Sequence, residues 1–173
     1  MEDNPLSQFA AILLAVLLLF VAPIYRMSWF KDQEIYKFIN NESSKFVENV
    51  RLKGFVSKSS LEGFLNGLNK TGYLYDVQII HTKKQYYPLY PGDAGYSPDN
   101  TFVVIDEKYF TKEILDKIYN ENNDYRMNIG DNFEIIVVNR TKSQAMVFSS
   151  LMGGRGDTMI FARYGGAIQN EDY

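Results

Sequence analysis

The sequence predicts an α+β protein in which an N-terminal transmembrane helix continues into a long amphipathic helix packed on a mostly antiparallel sheet. Three observations carry this. Leu6–Tyr25, LSQFAAILLAVLLLFVAPIY, holds no charged residue, and Phe9–Phe20 is unbroken Ala, Ile, Leu, Val and Phe. Apolar residues then recur at helical spacing as far as Val50. Beyond Gly72, β-branched and aromatic residues come in short alternating runs separated by Gly, Pro and Asn.

Twenty helical residues at ~1.5 Å each cover roughly 30 Å, the hydrocarbon thickness of a bilayer. Residues 1–27 are therefore assigned to a membrane-spanning helix and 28–173 to one α+β globular domain, a length that suits a single core. A cleaved signal peptide is the rival reading. It wants a basic start, and here Glu2-Asp3 is acidic; the small-residue site at Ala22 is followed by Pro23. A soluble core helix is the third reading, but the run of Leu, Ile and Val leaves no polar face. The domain is expected outside the cytoplasm. Arg26, Lys31 and Lys37 argue the other way, because positive charge flanking a span favours the cytoplasmic side.

The elements follow in order. Pro5 suits the first turn of the helix and Pro23 is placed to kink it, while Tyr25, Arg26 and Trp29 mark the membrane interface. Ile35, Phe38, Ile39, Ser43, Phe46 and Val50 form an apolar stripe, with Asp32, Lys37, Asn41, Lys45 and Glu48 on other faces, and Gly54 stops the helix. Ser57–Gly72 is a second helix capped by Ser59 or Ser60, with Leu61, Phe64, Leu65 and Leu68 inward and Gly63 and Gly67 open to a close neighbour. Tyr73–Thr82 is a strand, Lys83–Asn100 an irregular loop, Thr101–Ile105 a short strand and Thr111–Asn120 a helix capped by Thr111. Gly130-Asp131 is placed as the turn of a hairpin between Tyr125–Ile129 and Phe133–Val138, the latter apolar on both faces and so expected to be covered on both. Ser143–Met152 fits helix or strand, and Thr158–Tyr164 is a last strand ended by Gly165-Gly166.

Charge and composition exclude several functions. Eighteen Lys and Arg against twenty-one Asp and Glu give a net charge of −3, without the basic excess that nucleic acid requires. No cysteine is present, so disulfides and thiolate metal sites are ruled out. His81 is the one histidine, and without a second His it reads as structural or surface rather than as a base or ligand. No G-x-S-x-G accompanies it. Arg155-Gly156-Asp157 after two glycines reads as a turn rather than an adhesion signal. Asn120–Asp124, NENND, is rich in oxygen donors but lacks the spacing of a calcium loop. Neither a catalytic group, a cofactor, a metal nor a small-molecule substrate is assigned. Tyr86, Tyr87, Tyr90 and Tyr96, with Pro88 and Pro91, make an aromatic surface of the composition favoured in interfaces.

The order of elements, with FVENVRLKGFV at Phe46–Val56, LEGFLNGL at Leu61–Leu68 and GDNFEI at Gly130–Ile135, resembles the TadE-like (tight-adherence) pseudopilins and their Gram-positive relatives. The resemblance implies a pilin-like fold and a non-enzymatic membrane-held subunit of a surface pilus or secretion apparatus. Its partners would be membrane lipid and other pilin-like subunits or copies of itself. Small side chains at Ala10, Ala11, Ala15 and Ala22 would allow close helix contact during assembly. Members of that family usually carry a basic leader and a Glu at the start of the apolar segment. Here Glu2 and Asp3 precede an uncharged segment. Either the protein stays an unprocessed membrane component, or Glu2 takes the role of that Glu. The alternative function is a monomeric membrane-anchored binding or sensor domain that holds a peptide or glycan through the tyrosine loop.

Overall fold

A computed structural model describes residues 5–151, 153 and 161–171. One helix, α1, runs from Pro5 to Lys53, 49 residues or about 74 Å. It passes through Pro23, which removes the donor that the Leu19 carbonyl would use. The two halves of α1 are buried differently. Every residue from Leu6 to Phe20 is exposed, whereas Ile35, Ile39, Ser43, Phe46, Val47 and Val50 are buried. Phe38, expected in that stripe, is exposed and Val47 replaces it. At ~100° per residue the stripe drifts forward from Ile35 through Ile39 and Ser43, and a residue three after Ile35 falls behind it.

After α1 come β1 (Phe55–Val56), α2 (Lys58–Asn69), β2 (Tyr75–Pro88), β3 (Phe102–Phe110), α3 (Thr111–Tyr119), β4 (Tyr125–Arg126), β5 (Asn132–Asn139), α4 (Gln144–Leu151) and β6 (Phe161–Ala167). The main sheet has four antiparallel strands in the order β3-β2-β5-β6, and β1 pairs with β4 in a separate ribbon. The α1 stripe lies on β5 and β6. On β5 the core-facing residues Phe133, Ile135 and Val137 are wholly buried, while Glu134, Ile136 and Val138 are half-exposed. The far face, expected to be covered, is therefore open, and Arg163 pairs with Glu134 on it. Phe46 ties the layers together. It stacks on Phe64 of α2 at 4.5 Å and meets Phe133 of β5 edge-on at 6.2 Å.

Several local expectations are revised. Ser57 rather than Ser59 or Ser60 caps α2, its Oγ accepting from the Ser60 N–H at 3.2 Å. Gly67 faces the Glu42 side chain and Gly63 faces open space, so no second backbone meets either among the described residues. Thr111 does not cap α3; Glu113 reaches back to the Phe110 N–H at 2.9 Å instead. The Thr111 hydroxyl is used on β2, accepting from the Ile79 N–H at 2.8 Å and donating to its carbonyl at 3.3 Å. That satisfies both Ile79 backbone groups where β3 has already ended.

Asn128–Asp131 forms the expected turn, with Gly130 at φ 87° and the Asp131 N–H donating to the Asn128 carbonyl. It is not a hairpin turn, because β4 pairs with β1 and not with β5. Gln144–Leu151 is a helix, settling the ambiguity there. Arg155-Gly156-Asp157 lies outside the described residues, as does the start of the expected last strand. The strand that follows runs through Gly165 and Gly166 instead of ending at them. A Cβ at Gly165 would meet the β5 backbone and one at Gly166 would meet the Arg51 guanidinium, whose Nε–H donates to the Ala167 carbonyl at 2.9 Å. The glycines give the end of α1 room to dock on β6.

Gly54 ends α1 at φ 78°, its N–H donating to Val50 and its carbonyl accepting from Met127, both at 2.8 Å. A Cβ there would stand 2.3 Å from the Asn170 carbonyl oxygen. Gly54→Ala should cost about 2 kcal/mol or more, combining the left-handed penalty with that clash. Gly63→Ala, on an open helix surface, should be neutral or add up to about 1 kcal/mol. Urea unfolding of the full chain in detergent, followed by circular dichroism, checks the opposite signs.

Candidate functional site

The aromatic surface is built differently from the loop that its proline content suggested. β2 pairs with β5 only as far as Thr82, opposite Asn132, but its pairing with β3 continues to Pro88, opposite Phe102. Lys83–Pro88 and Phe102–Glu107 therefore project past the sheet as a two-stranded arm, roughly 20 Å long at ~3.4 Å per residue. Tyr and β-branched residues favour strand there over irregular loop. Tyr86 and Tyr87 lie on the arm's two opposite faces, opposite Val104 and Val103 respectively. Both are exposed, as are Phe102 and Ile105, and Tyr86 meets Phe102 edge-on. Tyr90 stands exposed at the tip, and Tyr96 is half-buried in the tip loop, which closes on itself between Ser97 and Asn100.

A buried polar knot holds the base of this arm. His81 on β2 is 2% exposed. Its Nδ1 lies 2.8 Å from the Tyr125 hydroxyl and its Nε2 lies 3.0 Å from Asp131 Oδ2. The tautomer with hydrogen on Nε2 satisfies both contacts: the ring donates to the Asp131 carboxylate, and Tyr125 donates to Nδ1. Asp131 also accepts from the Asn128 N–H at 2.9 Å and from the Lys84 N–H at 3.1 Å. Lys84 lies two residues past the end of the β5 pairing, so Asp131 takes over a backbone group that β5 no longer reaches. Tyr109 stacks on the imidazole, and Tyr125 meets it edge-on. Burial pushes the His81 pKa below its ordinary 6.5, against the opposing pull of Asp131. Burial likewise raises the Tyr125 hydroxyl, which keeps it a donor. The bonds to His81 come from Tyr125 and Asp131, both buried, and involve no serine. The arrangement fastens the arm at its root.

A second anchoring cluster sits where α1 leaves its apolar half. Asp32, placed by the sequence off the apolar stripe, accepts from the Tyr73 hydroxyl at 3.1 Å and from the Ser143 hydroxyl. Burial, with Asp32 second, raises the Tyr73 pKa to about 12. The sequence carried no sign of this link, since its partners lie 41 and 111 positions away.

Along the apolar half of α1, Ala11, Ala15 and Ala22 share one exposed stripe, and Ala10 lies roughly 100° around the helix from it. Glu2 lies outside the described residues. The oxygen-rich stretch Asn120–Asp124 is exposed, and Lys117 and Arg126 line the same cleft as Glu121 and Asp124. Among the described residues no group of three or more His, Asp or Glu side chains is arranged to hold a metal. Compared with known proteins, the chain matches no family model, no curated protein and no solved structure.

The lowered His81 pKa fixes a pH dependence. Between the folded value and 6.5 the unfolded chain binds more protons than the folded one. The contribution from neutral His81 is therefore complete above about 6.5 and is lost as pH falls through that value toward the folded one. The His81 ring resonances should titrate with a midpoint below that of a free histidine. The thermal midpoint should drop between pH of about 7 and about 5, and the part of this drop due to the ring should vanish in His81→Gln. An unshifted ring titration contradicts the account.

Proposed function

We propose that this chain is a non-enzymatic, membrane-anchored structural subunit of pilin-like kind, part of a surface pilus or secretion apparatus, assembling through α1 with its globular head outside the cytoplasm. The observation that carries the reading is the division of α1. Its first half is apolar and exposed on all sides, and its second half is the spine of a four-stranded sheet, without a break between them. A helix long and apolar enough to span a membrane, and continuous with the head, supports assembly in which helices pack in a bundle and heads are carried outside it. The small-residue stripe Ala11, Ala15 and Ala22 is the surface that close helix packing would use. In the chain without native cysteine, Ala11→Cys and Ala15→Cys should give crosslinked dimers or ladders in native membranes. Monomers alone would overturn the assembly reading, and a head protected from protease in intact cells would overturn its placement.

The projecting arm favours a second reading, a monomeric anchored module that binds a peptide or glycan. Its exposed tyrosines present an apolar ring and a hydrogen-bonding tip at low entropic cost. Peptide and glycan arrays probed with the full chain in micelles should then register binding. Tyr87→Ala and Tyr90→Ala should reduce it at least about tenfold, the loss of roughly 1.4 kcal/mol, while Ala15→Cys gives monomers.

A further inference from the structure

We infer that α4 is a second membrane contact: it lies against the bilayer surface beside the emerging α1, with Val147 and Leu151 in the boundary between headgroups and acyl chains. The inference rests on Leu6–Tyr25 spanning the bilayer.

The argument begins with position. Ser143, immediately before α4, donates to Asp32, two turns of α1 beyond the end of the span. The first residue of α4, Gln144, shares a cleft of about 480 Å³ with Ile24, Met27 and Phe30. Ile24 belongs to the span itself, so the cleft at the start of α4 reaches the end of the span. Ala145 and Met146 are buried as α4 packs on α1. Its outward stripe, Val147 and Leu151, four residues apart, is apolar and 46% and 77% exposed. Met27, 77% exposed, and Phe30 are exposed apolar residues of α1 on the cleft that Gln144 lines. The cleft that joins the start of α4 to Ile24 of the span selects lipid as the occupant of the exposed stripe.

Charge agrees with that choice. A smaller cleft of about 130 Å³ beside the two helices is lined by Lys31 and Lys142 together with Asp32, Ser28, Tyr73, Ser143 and Gln144. With Asp32 already engaged by the Tyr73 and Ser143 hydroxyls, Lys31 and Lys142 leave one net positive charge in this cleft, which suits lipid phosphates, while the apolar stripe suits the acyl chains. The placement holds on whichever side of the membrane the head lies.

The test uses the full chain in phosphatidylcholine vesicles, with a single environment-sensitive fluorophore attached in turn to Leu17→Cys, Val147→Cys, Leu151→Cys and Glu121→Cys. Lipids carrying a quencher near the headgroup end of the acyl chain should dim the labels at 147 and 151 by about twofold or more. The label at 121 should be unaffected. A quencher placed deep in the bilayer should dim the label at 17. If 17 is quenched while 147 and 151 behave like 121, the span stands and the inference falls. If 147 and 151 show the blue-shifted emission of a buried label without quenching, another protein surface covers α4, and the inference also falls. An unquenched label at 17 overturns the span and the inference with it.

Discussion

The structure depends on the burial of one stripe of α1. Ile35, Ile39, Phe46, Val47 and Val50 lose nearly all contact with water against β5, β6 and α2. Each such side chain is worth about 1.5–3 kcal/mol when fully buried. Among the described residues α1 is the helix that packs on β5 and β6, over Phe133, Ile135 and Val137. Phe46 has aromatic partners on two separate elements. Ser43 sits in the middle of the stripe, wholly buried, and its hydroxyl has no hydrogen-bond partner among the described residues. It is the smallest side chain in the row, and it lets helix and strands come together at the expense of an unsatisfied group.

Most of the architecture is legible in the pattern of apolar residues. The uncharged run, the stripe and the stop at Gly54 mark α1 because each is local: hydropathy, a 3.6-residue period and a left-handed terminus. The arm is where local reading fails. Lys83–Pro88 looks irregular by its proline and tyrosine content, yet it is a strand because Phe102–Glu107 lies beside it. Pairing between segments more than a dozen residues apart outweighs turn propensity, and no window over one segment records it. The same holds for β4, whose partner is β1 rather than the strand that follows it.

The polar knots were still less visible. His81, Tyr125 and Asp131 come from three elements, and nothing in their spacing announces that they meet. The one available sign is that a lone histidine on a strand must be either exposed or fully partnered. Asp32 is harder, because an acidic residue following a membrane segment looks like an ordinary solvated charge. Both knots serve the same end. Asp131, buried, pins the root of the arm, and Asp32, half-buried, pins the root of the head to α1.

The absence of a break between the two halves of α1 makes the helix a lever. Tyr25 and Val50 are separated by twenty-five residues of continuous helix, roughly 37 Å. Should the span tilt by the ~20° typical of membrane helices, the axis near Val50 moves sideways by about 13 Å. The sheet rides on that end and the arm rides on the sheet. A change of tilt inside the bilayer, from a neighbouring helix or a change of lipid thickness, is thus multiplied into a displacement of Tyr90 without any rearrangement within the head.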